Sequence, residues 1–248
     1  MSPPCWLVTR PQPDADALDA RLVGLGHRAV VSPVMDIRID PAQPLDLGGV
    51  NTLVFTSTNG VRAFAARSPR RDLPVVAVGK RTAAAAHTAG FADVRDGGGT
   101  VAHLQQGFPA LAPQQPGIVL HVCGRDVAGD LPHALQTQGY TVRSAPLYAA
   151  EPATSLAPEA AQALANGDIS GVLFFSARTA RLFDTLSAEA GLRPALPHVL
   201  AVCLSPAIAS ELPGSCWREI WISPMPTSES LMETLRRYPS PPKVPLRS

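Results

Sequence analysis

LVFTSTNGVRAFAAR, residues 53–67, begins as a buried apolar run of strand length. It then passes through Thr56-Ser57-Thr58-Asn59 and continues as an amphipathic helix. The same pattern returns at residues 172–186, VLFFSARTARLFDTL, with an apolar run, a Ser and a helix behind it. The chain therefore contains a duplication. At each turn Ser, Thr or Asn can cap the helix, and the free N–H groups together with the helix dipole favour an anionic ligand. Two facing copies would make a two-sided site for a polyanion.

Outward from this stretch, other strand-turn-helix units repeat in the same order. Trp6 to Thr9 reads as a first strand, ended by Arg10-Pro11, with Asp14 expected to cap a helix that carries Leu18, Leu22 and Leu25 and stops at Gly26. Ala29 to Val34 follows as a strand with Pro33 inside it, which predicts an edge or a crossing there. Ile118 to Val122, Gly124-Arg125, a helix through Leu131 and Leu135, and Thr141 to Leu147 with Pro146 copy that unit. Val75 to Val78 with Thr82 is matched by Val199 to Val202 with Ser205-Pro206. The Gly97-Gly98-Gly99-Thr100 turn is matched by Pro226-Thr227. Pro113 and Pro116 mark a loop, and the Pro-rich tail from Pro239 is expected to be disordered. Four units occurring twice, each a strand followed by a helix, predict an α/β fold with parallel sheets and right-handed crossovers. Arg10, Thr56, Thr82, Arg125, Ser176 and Ser205 then all fall at carboxyl ends of strands, where parallel sheets hold ligands.

Composition removes several function classes. With 248 residues, 46% hydrophobic, the chain has enough apolar matter for two ordinary cores. A net charge of +1 and an aromatic fraction of 5% offer neither the field nor the stacking platforms that nucleic acid requires, and no field for an anionic membrane. The opening MSPPCWLVTR has no apolar signal region and no run approaches the roughly 18 residues of a membrane span, so a soluble, cytoplasmic protein is expected. Cys5, Cys123, Cys203 and Cys216 are scattered and the six His show no ligand spacing, so no metal site and no catalytic cysteine is expected. Gly24-Leu25-Gly26 precedes a strand instead of following one, and Gly79-Lys80 lacks the P-loop glycine because residue 74 is Pro. No GxSxG elbow or Ser/His/Asp constellation stands out.

The residues resemble the uroporphyrinogen-III synthase family of tetrapyrrole biosynthesis. The resemblance is carried by Phe55-Thr56-Ser57 with Asn59-Gly60-Val61, Ala77-Val78-Gly79 with Thr82-Ala83, Gly139-Tyr140 leading to Leu147-Tyr148, Phe174-Phe175-Ser176, and Pro226-Thr227. It implies two flavodoxin-like parallel-sheet domains with interleaved connectivity: residues 1–36 with 153–238 as one, 39–147 as the other. Strands at 37–40 and 148–152 would link them, leaving 239–248 as tail. It further implies a monomeric, cofactor-independent lyase that closes linear hydroxymethylbilane with inversion of its last pyrrole ring and loss of water. The partners implied are that linear tetrapyrrole and, transiently, the upstream enzyme that forms it.

A substrate of this kind carries eight carboxylates and loses its terminal hydroxyl readily, so positioning is the main catalytic demand. Hydroxyls and N–H groups at helix starts can hold carboxylates without the desolvation cost of many buried cations. The candidate substrate-binding residues are Arg10, Thr56, Ser57, Thr58, Asn59, Thr82, Arg125, Ser176, Ala177, Arg178 and Ser205, and Tyr148 is the candidate proton donor. Two positions depart from the family's pattern: Ser205-Pro206 replaces a pair of threonines, and the turn from Gly124 to Gly129 lacks the Arg the family often carries one turn further along, a charge that Arg125 is expected to replace. A non-enzymatic two-lobed module that binds a small anion, and a nucleotide-using transferase on a Rossmann-like scaffold, are the alternative classes.

Overall fold

The computed structural model describes residues 3–112, 117–126 and 129–236. Eleven strands among them form two sheets. They are β1 (Cys5–Val8), β2 (Arg28–Val31), β3 (Met35–Ile39), β4 (Val50–Phe55), β5 (Val75–Ala77), β6 (Val94–Asp96), β7 (Ile118–Gly124), β8 (Thr141–Pro152), β9 (Gly171–Phe174), β10 (Leu200–Cys203) and β11 (Glu219–Ile222). Between them run α1 (Asp14–Gly24), α2 (Thr58–Arg67), α3 (Lys80–Thr88), α4 (Val101–Leu111), α5 (Leu131–Thr137), α6 (Pro158–Ala165), α7 (Ala177–Glu189), α8 (Pro206–Ala209) and α9 (Ser228–Arg236).

One sheet has the order β11-β10-β9-β1-β2 and the other β3-β8-β7-β4-β5-β6. The β1–β2, β1–β9, β9–β10 and β10–β11 ladders are parallel, as are β7–β8, β4–β7, β4–β5 and β5–β6. The connectivity is interleaved: β1, from the start of the chain, pairs with β9, while β4 pairs with β7. By contacts the chain divides into a unit of residues up to Asp36 and from Glu151 onward, and a unit of Ile37–Ala150. It passes between them at Asp36–Ile37 and Ala150–Glu151.

The central strands β1, β9 and β10 of one sheet and β4, β5 and β7 of the other are buried almost throughout, which is why they read as continuous apolar runs instead of alternating. In β1, Cys5 and Leu7 pack with Phe174, Phe183 and Leu164, while Trp6 and Val8 face the other way onto Leu18, Leu22 and Leu231. Phe174 meets Phe183 and Trp217 edge-on at 5.5 and 5.7 Å between ring centroids. Truncating such a buried ring costs about 3–5 kcal/mol. In the second unit Phe55, Phe64 and Phe91 form a triangle of rings on one face of the sheet, and Val54, Leu104 and Phe108 fill the other.

Several local expectations are corrected. Asp14 does not cap α1: it is the helix's first residue behind Pro13, and its carboxylate is held by Arg10. Pro33 lies beyond β2, which stops at Val31, although β2 is an edge strand as the proline suggests. Pro146 does not end its strand: β8 spans 12 residues, Thr141–Pro152, with Pro146 inside it. Helix α6 had no sequence reading; its short Ala-rich pattern, entered through Pro158, buries Ala160 and Leu164. Pro113, Pro116 and the tail from Pro239 lie outside the described residues.

Candidate functional site

In the unit built on β4, the turn into α2 is set by Ser57. Its backbone is extended (φ −152°, ψ 148°), and its side chain accepts a hydrogen bond from the Asn59 N–H at 3.0 Å, satisfying one of the helix's open donors. Thr58 is the first helical residue, and Asn59 turns its Oδ1 to Arg62 Nη1 at 3.0 Å. A Cβ on Gly60 would lie 3.0 Å from the Val122 carbonyl oxygen, so the helix start can approach β7 only because that residue is glycine. The Thr56 hydroxyl lies 3.3 Å from His121 Nε2. His121 is buried, and desolvation pushes its pKa down to about 4, which leaves the ring neutral at neutral pH. Sequence reasoning missed this residue. Its only signal was a polar group in the middle of the apolar run Ile118 to Val122.

Tyr148 owes its placement to a slip in register. Cys123 pairs with Pro146, but the next residue, Gly124, pairs with Tyr148, so β8 carries Leu147 as one residue more than its neighbour at this point. Bulges of this kind re-aim side chains. Here Leu147 and Tyr148, adjacent in a strand and expected on opposite faces, pack against the same cluster as Phe55. Tyr148 is half-buried. Burial pushes its phenol pKa up, the Ser57 side chain as hydrogen-bond partner pulls it down, and nearby Cys123 adds a smaller upward push. The net direction is upward, so the phenol keeps its proton at neutral pH.

Arg125 follows β7, and its N–H donates to the Tyr148 carbonyl at 2.7 Å. Its side chain is 66% exposed, with Nη2 3.4 Å from the Asp40 carboxylate, a pairing that contributes little in water. Thr82 lies in the first turn of α3 and is 5% exposed.

In the other unit, Ser176 repeats the Ser57 conformation closely (φ −151°, ψ 151°) and caps α7 by accepting from the Thr179 N–H at 3.1 Å. Thr179, where the first copy has Gly60, adds a bond from its hydroxyl to the Ser176 carbonyl at 2.8 Å. Ala177 and Arg178 open the helix and are half-buried. Arg10 bonds Asp14 at 2.5 Å and stacks over Phe175 with 4.5 Å to the ring centroid, so its charge is already partnered. Ser205 precedes the four-residue α8 without capping it, and Pro206 supplies no N–H there.

The duplicated turns thus stand at the β4/β7 and β9/β1 junctions, where strand order reverses and open α/β sheets bind ligands. Thr56, Ser57, Thr58, Asn59, Arg125 and Tyr148 gather at the first junction, and Arg10, Ser176, Ala177 and Arg178 at the second. Thr82 and Ser205 lie on the neighbouring turns, after β5 and β10. Among the described residues, no group of three His, Cys, Asp or Glu side chains could hold a metal ion, and no helix is long and apolar enough to cross a membrane.

Comparison with known proteins follows the same lines. The family model for uroporphyrinogen-III synthase HemD matches residues 16–233. Among solved structures, a uroporphyrinogen-III synthetase from Helicobacter pylori is similar at 19% identity with a TM-score of 0.64, over 94% of this chain and 98% of that one. A mutant uroporphyrinogen III synthase from Thermus thermophilus is similar at 21% identity with a TM-score of 0.51, over 94% and 96%. At these identities the structural likeness speaks for the fold. No curated protein sequence matches significantly.

Proposed function

The chain belongs to the uroporphyrinogen-III synthase family, and from that premise we propose that it closes hydroxymethylbilane into a macrocycle, inverting the last pyrrole ring and releasing water. As a lyase of tetrapyrrole biosynthesis it binds a substrate studded with carboxylates. The reading assigns those carboxylates to the neutral donors at the helix starts: Thr56, Ser57, Thr58 and Asn59, Thr82, and in the other unit Ser176, Ala177, Arg178 and Ser205. Arg10 and Arg125 would add charge at the two switch points.

The observation that carries the chemical part is the Tyr148 phenol, half-buried, protonated and beside the Ser57 turn. When the substrate's terminal C–O bond breaks, the departing hydroxyl needs a proton to leave as water, and the Tyr148 hydroxyl supplies it. The phenolate so formed is stabilised by the Ser57 side chain, the interaction that already draws its pKa down. New ring closure follows at carbon, and the proton released there balances the one donated.

The test is Tyr148→Phe, which keeps the ring and removes the hydroxyl. With hydroxymethylbilane as substrate, kcat should fall by at least about tenfold, towards the 10² to 10⁴ typical of general acids, with an unchanged melting temperature. Wild-type turnover in the Phe variant would remove Tyr148 from the reaction.

A further inference from the structure

We infer that Gly124 is a positioning residue for Tyr148: the absence of a side chain at 124 lets the Tyr148 ring lie against the β7 backbone and so brings its hydroxyl to the Ser57 turn. This rests on the reading of Tyr148 as proton donor and extends it to a residue outside the candidate set.

Three observations meet at this point. The register slip makes Tyr148, and not Leu147, the residue opposite Gly124. A Cβ built on Gly124 would stand 3.0 Å from Tyr148 Cε2, 3.2 Å from Cζ and 3.5 Å from Cδ2, so the ring occupies the space a side chain would take. Gly124 is also not among the glycines with positive φ, so its backbone does not require glycine. The requirement is steric and comes from one ring. Because the atoms in the way belong to a single side chain, a methyl group at 124 would move the phenol rather than break the sheet. The Arg125 N–H to Tyr148 carbonyl bond, 2.7 Å, holds the backbone of β8 while the ring moves. A displacement of several tenths of an ångström at a proton donor matters, since errors of about 1 Å in placement cost roughly 10²-fold in rate.

The experiment is a double-mutant cycle with hydroxymethylbilane. Gly124→Ala should lower kcat about tenfold with KM within about threefold, and Gly124→Val should lower kcat further. In a Tyr148→Phe background, where there is no hydroxyl left to place, adding Gly124→Ala should change kcat by less than about twofold. If Gly124 only supports the fold, Gly124→Ala will reduce kcat by the same factor in both backgrounds, and the inference is overturned. It is equally overturned if Gly124→Ala retains wild-type kcat while Tyr148→Phe does not. Should Tyr148→Phe alone keep full turnover, the failure lies instead with the proton-donor reading, and Gly124 loses its role with it. If Gly124→Ala is too unstable to assay, the fall in melting temperature it causes should be much smaller in a Tyr148→Ala background, where the ring is gone; an equal fall in both backgrounds rejects the contact.

Discussion

Thr56 Oγ1 lies 3.3 Å from Nε2 of His121, a 1% exposed imidazole whose Nδ1 has no hydrogen-bond partner among the described residues. Burial lowers the folded-state pKa from 6.5 to about 4. Between those values the unfolded chain holds a proton that the folded chain excludes, so stability rises with pH through the window and is lost as pH falls from 6.5 towards 4. The full effect is about 3 kcal/mol. His121→Leu removes the titration. Its melting temperature should therefore depend less steeply on pH between 4 and 6.5 than that of the wild type, and parallel curves would show that His121 binds its proton equally well in both states. His27 is also pushed down by burial and contributes in the same direction in both proteins, so the difference between the curves isolates His121.

Ser57 and Ser176 each supply one neutral cap bond, and Thr82 is a buried hydroxyl in a first helical turn. Each Ser→Ala change should cost about 0.5–2 kcal/mol of stability, read from denaturant midpoints. In turnover, single Ala variants of Thr82 and Ser176 should stay within about tenfold of the wild type, because one neutral hydrogen bond among many contributes roughly 0.5–1.5 kcal/mol; Ser57→Ala, which also loses the bond to the Tyr148 phenolate, should fall further, by up to about 10²-fold. A folded single variant with no activity would contradict a site in which carboxylate binding is distributed.

The interleaved ladders make a prediction about pieces of the chain. β4 finds its partner β7 within residues 39–147, whereas β1 needs β9 from far along the chain. A fragment of residues 39–147 should therefore melt cooperatively. A fragment of residues 1–115 should not, since it carries β1 without β9 and β4 without β7. The opposite pattern by circular dichroism would reject the division.

What the sequence made legible was whatever repeats. The Ser57 and Ser176 turns share an apolar run, a capping Ser and a helix, and the structure gives both serines nearly the same backbone angles. Strand identities and the carboxyl-edge placement of the candidates followed from that period. Illegible were features set by side chains meeting across strands. Asp14 was expected as a cap, but the helix starts behind Pro13 with Asp14 as its first residue, and the carboxylate pairs with Arg10. The slip at Leu147 appears only when β8 is laid against β7, and with it go the placement of Tyr148 and the reason for Gly124. His121 was passed over because a single His carries no spacing, and its significance comes from Thr56 in the turn after the adjacent strand β4. Departures at Ser205-Pro206 were visible in sequence. That Ser205 makes no cap bond to the helix behind it was not.

The most direct measurement is to give the purified protein hydroxymethylbilane and separate the cyclic products by isomer. Closure without inversion needs no positioning and gives the isomer in which all four rings keep their order. A protein that holds the carboxylates at its helix starts and protonates the leaving hydroxyl should give predominantly the isomer with the last ring inverted, at a rate proportional to protein concentration. The same isomer mixture from native and heat-denatured protein would contradict the account.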